Sequence, residues 1–89
     1  MRVQSFDWDS WNAEHIARHG VDPSEAEAIC RSHRAVVIRG RQGRHLVYGH
    51  TGDGRYLLVV LQARGGGLVR IITARDMTEH ERRFYHRRR

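Results

Sequence analysis

Six consecutive apolar residues, Tyr56-Leu57-Leu58-Val59-Val60-Leu61, lie between two glycine-containing breaks, Gly52-Asp53-Gly54 and Arg64-Gly65-Gly66-Gly67. Successive side chains of a strand point to opposite faces, so an unbroken apolar run needs cover on both. It therefore predicts a central strand with a layer above and a layer below. Gly52-Asp53-Gly54 is a hairpin signal, and Gly65-Gly66-Gly67 reads as a floppy hairpin connection to a last strand, Leu68–Ala74. Upstream, residues 44–51 alternate, with His45, Val47, Gly49 and Thr51 on one face and Leu46, Tyr48 and His50 on the other. Ala35-Val36-Val37-Ile38-Arg39 is a β-branched run, separated from that strand by the turn Gly40-Arg41-Gln42-Gly43. Hairpin-linked neighbours give an antiparallel sheet.

The layers that cover it come from either end of the chain. Asp9 offers an N-cap for a helix over residues 10–19, with Trp8, Trp11, Ile16, His15 and His19 near helical spacing and Gly20 as a left-handed stop. Asp22-Pro23-Ser24-Glu25 combines a cap, a proline at the first helical position and a capping-box acid. It predicts a second helix over residues 23–32, with Val21 stapled to Ala26 and with Ile29 and Cys30 facing inward. Thr78-Glu79-His80-Glu81 is a third start signal, leading through Phe84 and Tyr85 toward Arg87-Arg88-Arg89. Residues 2–6 alternate weakly and suit a short first strand. The fold class is thus α+β: two N-terminal helices, a mainly antiparallel sheet of three to five strands, and a C-terminal helix. In an 89-residue chain this is one domain, divided as residues 1–32, 33–76 and 77–89.

Charge narrows the classes of partner. The 16 basic residues are all Arg, and the formal net charge is +6. Residues 1–30 carry two Arg against six acids, a net of −4, and residues 31–89 carry fourteen Arg against four acids, a net of +10. A strongly basic rear half points to a polyanion partner, and guanidinium forks suit phosphate. No apolar run approaches the roughly 18 residues of a membrane span, and the N-terminus lacks the apolar core of a secretory signal. One cysteine, Cys30, excludes an intrachain disulfide and fits a reducing cytoplasm.

The candidate chemistry lies on the second face of the sheet. Arg70 interrupts Leu68-Val69-Arg70-Ile71-Ile72, and a mid-strand Arg needs water, a carboxylate or a ligand anion. Arg75 ends that strand near the acids Asp76, Glu79 and Glu81. Glu81 is both the capping-box residue and a possible acid or base, and Tyr85 stands four residues on, along the same helix face. His50, with a reference pKa near neutrality, is a general acid/base candidate. His15 and His19 have metal-compatible i, i+4 spacing without an evident third ligand. No nucleophile turn, GxxxxGK loop or GxGxxG is present. Neither metal nor cofactor is expected.

The motifs have a recognisable order: Phe6-Asp7-Trp8-Asp9, His19-Gly20-Val21, Gly52-Asp53-Gly54-Arg55-Tyr56-Leu57-Leu58-Val59-Val60, Arg70-Ile71-Ile72-Thr73-Ala74-Arg75 and Glu81-Arg82-Arg83-Phe84-Tyr85. Together they resemble the BrnT family of type II toxin–antitoxin toxins over roughly residues 6–85. The resemblance implies a RelE-like fold and a metal-independent endoribonuclease. Its implied partners are an RNA substrate, a cognate ribbon-helix-helix antitoxin and, through that complex, operator DNA. Cleavage by an RNA 2′-hydroxyl needs cationic clamps and groups of tunable pKa. Arg70 and Arg75 would clamp phosphate, His50, Glu81 or Tyr85 would move protons, and Arg44, Arg55 and Arg82 would guide the strand. The alternative reading is a catalytically silent basic module that binds RNA or an antitoxin.

Overall fold

The computed structural model describes residues 1–89 as three layers around a five-stranded sheet. The elements run β1 (Ser5–Phe6), α1 (Ser10–Ala17), α2 (Pro23–Arg31), β2 (Val36–Arg39), β3 (Arg44–His50), β4 (Tyr56–Gly65), β5 (Leu68–Asp76) and α3 (Glu79–Arg88). The sheet order is β1-β5-β4-β3-β2, antiparallel throughout except that β1 pairs with β5 in parallel.

The apolar run does what its composition requires. Leu57, Val59 and Leu61 are wholly buried in a core completed by Val47, Val69, Ile71 and Ala74 and by Ile16, Val21, Ala26, Ile29 and Cys30 from the α1–α2 side. Leu58 faces the other way, into a smaller core with Tyr48, Met77 and Tyr85. The alternation read in residues 44–51 holds: Val47 and Gly49 face α2, and Tyr48 and His50 face α3. Gly49 matters because a Cβ there would stand 3.2 Å from both Cδ1 and Cγ2 of Ile29, so the absent side chain lets α2 lie close on the sheet. Burial pushes the Cys30 thiol up to about 12, keeping it neutral as a small packing group.

Three expectations change. α1 ends at Ala17, two residues early, with Arg18 as C-cap and Gly20 at φ +71° turning the chain. Trp11 is outside the core: it is 59% exposed and stacks on His15. The buried residues of α1 are Asn12 and Ile16. Gly65-Gly66-Gly67 is also not loose. β4 pairs on to Gly65, and the Gly67 carbonyl accepts the N–H groups of Gln4 and Ser5. The space above Gly67 is filled by the Gln4 side chain, so the tip of this hairpin docks the start of the chain.

Candidate active site

Strand register arranges the α3 face of the sheet in rows. His50 lies opposite Tyr56. The next row is Tyr48, Leu58 and Arg75, and the row at the far end is Arg44, Gln62 and Arg70. The helix α3 covers the His50 end. Thr78 caps it by accepting the Glu81 N–H, while Glu81 accepts the Thr78 N–H at 2.8 Å, as the sequence anticipates. This start angle places Tyr85 at zero exposure against the sheet.

Tyr85 and His50 meet there, the phenol oxygen 2.8 Å from Nδ1 of the imidazole. Around them the rings of Tyr56 and His86 close a cluster, with centroid separations of 5.8 Å for His50–Tyr56, 6.0 Å for Tyr56–Tyr85 and 5.2 Å for Tyr56–His86. The Arg82 guanidinium lies over Tyr56, 4.3 Å from the ring centre. Tyr85 is buried but His50 is only half-buried. The phenol thus holds one imidazole nitrogen, and Nε2 has no partner within the protein.

Arg75 and Glu81 form the second part. NH1 and NH2 donate to the two carboxylate oxygens at 2.8 and 2.9 Å, and NH1 also donates to the Asp76 carbonyl. Arg75 holds the Glu81 carboxyl below its ordinary range, against the opposing effect of burial. Glu81 is therefore a fixed carboxylate, joining the end of β5 to the first turn of α3. Arg75 retains two of its five N–H donors and 39% exposure. Burial also raises the neighbouring Tyr48 hydroxyl.

The remaining sequence candidates lie elsewhere. Arg70 is ion-paired with Asp7 at 3.4 Å and Asp9 at 3.1 Å, with 15% of its side chain exposed; its anion is the N-terminal segment of its own chain. Arg55 is on the other face, where it reaches Glu25, Asp76 and the Gly20 carbonyl and clasps α2 to the sheet. Arg44 is exposed and bonded to Gln62, at the opposite end of β3 from His50, about 20 Å away at strand spacing. His15 and His19 contact edge-on, and no group of three His, Cys, Asp or Glu side chains is placed to hold a metal ion. The sequence reading missed Tyr56 and His86. Tyr56 was absorbed in the apolar run, although the Gly52–Gly54 turn already sets it across from His50. His86 follows Tyr85 and stands four residues beyond Arg82, a helical spacing that signals a shared face with Arg82.

A five-stranded sheet between a helix pair and a single C-terminal helix, with a half-buried histidine held by a buried tyrosine on the latter side, defines a small basic α+β domain. Residues 8–81 match the family described as ribonuclease toxin, BrnT, of type II toxin–antitoxin system. The chain belongs to the BrnT family. It is similar to the crystal structure of the Brucella abortus ribonuclease toxin BrnT, with a TM-score of 0.68 and 20% identity, over 86% of this chain and 100% of that one. A search of curated proteins finds no match. No helix is long and apolar enough to cross a membrane.

Proposed function

We propose that this chain is a metal-independent endoribonuclease of the cytoplasm, with His50 as its proton-transfer group. A cognate ribbon-helix-helix antitoxin neutralises it and carries the complex to operator DNA. The observation that supports the reading best is the His50–Tyr85 hydrogen bond, which fixes a half-buried imidazole next to the Tyr56 ring that carries Arg82, a guanidinium with no carboxylate partner. In its Nδ1–H tautomer neutral His50 donates to the Tyr85 oxygen and uses Nε2 to take the proton of an RNA 2′-hydroxyl. The imidazolium that forms still donates from Nδ1, so the bond survives the transfer. The hydroxyl oxygen then bonds to the adjacent phosphorus and the bond to the 5′ oxygen breaks. His50 returns its proton to that oxygen, leaving a 2′,3′-cyclic phosphate. Arg82, which has no carboxylate partner, and the two free donors of Arg75 oppose the charge that builds on the phosphate. Tyr85 is a positioning residue, and Glu81 positions Arg75.

His50→Ala should abolish cleavage, by 100-fold or more, while RNA binding persists. Tyr85→Phe keeps the packed ring and removes only the hydroxyl; cleavage should fall about tenfold with a displaced pH profile. Both are checked by single-turnover cleavage of labelled RNA across pH 5–9. Unchanged rates in His50→Ala would reject the assignment, and binding with intact RNA from the wild-type chain would support the silent module instead. The antitoxin reading is tested by co-expressing any ribbon-helix-helix protein encoded beside this chain and scoring co-purification and growth.

A further inference from the structure

A cleft of about 650 Å³ opens between the turn that follows α2 and the last turn of α3, lined by none of the residues of the His50–Tyr85 cluster. His33, Arg34, Arg88 and Arg89 form its rim and Ala35 and Val36 its floor. The rim residues are exposed and the floor is half-buried. No Asp or Glu side chain lines it. This sets it apart from the paired arginines of the molecule: Arg31, Arg55, Arg70, Arg75 and Arg83 each meet an acid, whereas Arg34, Arg88 and Arg89 meet none. Two of the rim guanidinium groups are held in place by aromatic rings, Arg88 over Phe84 at 5.1 Å and Arg89 over Tyr85 at 5.5 Å. Three unneutralised forks above an apolar floor suit a nucleotide, with phosphate at the rim and sugar or base below.

The cleft is also close to the catalytic histidine. The Arg89 guanidinium and the His50 ring lie 5.5 and 5.9 Å from the same Tyr85 ring centre, so they are at most 11.4 Å apart.

We propose that this cleft binds a phosphate of the RNA strand flanking the bond presented to His50, and so fixes the register of the substrate. The inference rests on the reading of RNA as substrate given above. The test uses the full chain and a short single-stranded RNA whose 2′-hydroxyls are methylated, which binds but cannot be cut. Affinity is measured as a function of salt for wild type, for Arg34→Ala/Arg88→Ala, and for Arg2→Ala/Arg64→Ala, which removes equal charge from arginines without side-chain partners outside the cleft. Each lost phosphate contact makes the log–log salt slope shallower by about 0.7. The cleft variant should lose about 0.7 to 1.4 of slope, and the control should keep the wild-type slope. Equal slopes in all three proteins, or equal losses in both variants, overturn the proposal. So does a cleft variant that keeps its RNA affinity and loses affinity for a polyglutamate peptide, since the cleft would then be a protein-docking site. Cleavage of unmodified RNA is scored in parallel. A cleft-dependent salt slope without cleavage upholds the cleft and rejects the ribonuclease reading alone.

Discussion

Asn12 shows how one polar side chain can be the joint of a small domain. It is wholly buried in α1, and its amide donates to the carbonyls of Asp7 and Ile71 at 2.9 and 3.0 Å while its oxygen accepts the Asp9 N–H. It thus ties the end of β1, the start of α1 and the middle of β5 together. Helical spacing directs attention to Trp11 beside it, because hydropathy ranks an indole above an amide. The carbonyls that need an amide exist only once β1 lies along β5. Asn12→Leu keeps the volume but leaves those carbonyls without their donor. It should cost about 2–4 kcal/mol, read as a lower urea midpoint with an unchanged m-value. Arg70 and Arg55 carry the same lesson. Sequence reasoning correctly asks what anion a mid-strand Arg70 meets, but its partners stand some sixty positions away in Asp7 and Asp9. No spacing rule reaches that far, so a structural ion pair and a phosphate clamp look alike until the chain folds.

At the scale of elements, two contacts fix the helices on the sheet. The first is Gly49 beneath Ile29. Gly49→Ala forces a methyl group into carbon atoms 3.2 Å away and should destabilise by about 1–3 kcal/mol. Ile29→Val deletes Cδ1, one of the two obstructing atoms, so in a double-mutant cycle the combined loss should be smaller than the sum of the single losses. Strict additivity would place the strain elsewhere. The second contact is Arg75–Glu81 at the foot of α3. The folded carboxyl titrates below its ordinary 4.5, chiefly through Arg75. A depressed folded value adds stability that is complete above the unfolded value and disappears as pH falls through the folded one. Glu81→Gln can still accept the Thr78 N–H, so it removes mainly the ion pair. It should cost about 1 kcal/mol at pH 7, and the gap from wild type should narrow as pH falls below 4.5 and through the depressed folded value. Thermal melts across pH 3–7 decide this. Each helix start is written locally, in Asp9, in Asp22 with Glu25, and in Thr78 with Glu81, and these boundaries were legible. The docking of Gln4 and Ser5 on Gly67 was not, because a glycine run in sequence signals freedom whether or not another segment later fills the space.

For the whole molecule, the division of charge along the chain takes on a different meaning in three dimensions. Sequence alone divides the chain into an acidic front and a basic rear, but folding brings the front's acids onto chosen arginines of the rear: Glu25 onto Arg55, and Asp7 and Asp9 onto Arg70. Glu81 and Glu79 hold Arg75 and Arg83 within the rear half itself. What remains uncompensated includes Arg82 over the Tyr56 ring and the Arg34, Arg88 and Arg89 rim of the cleft. The acids therefore act as a mask, deciding which part of the basic rear half is presented to a polyanion. Removing part of the mask should redistribute binding. In Asp7→Asn/Asp9→Asn the caps persist, since Asn accepts at an N-cap as Asp does, but Arg70 loses both carboxylates and the net charge rises by two. The expected result is tighter binding of single-stranded RNA at low salt with a steeper salt slope, because a new phosphate contact opens at the far end of the sheet. Cleavage at saturating RNA should not rise in parallel, since Arg70 stands in the row furthest from His50. Direct titration by fluorescence anisotropy from 50 to 300 mM salt, with single-turnover cleavage alongside, separates the two effects. A rise in the cleavage rate with an unchanged salt slope would place Arg70 in the reaction rather than behind a mask.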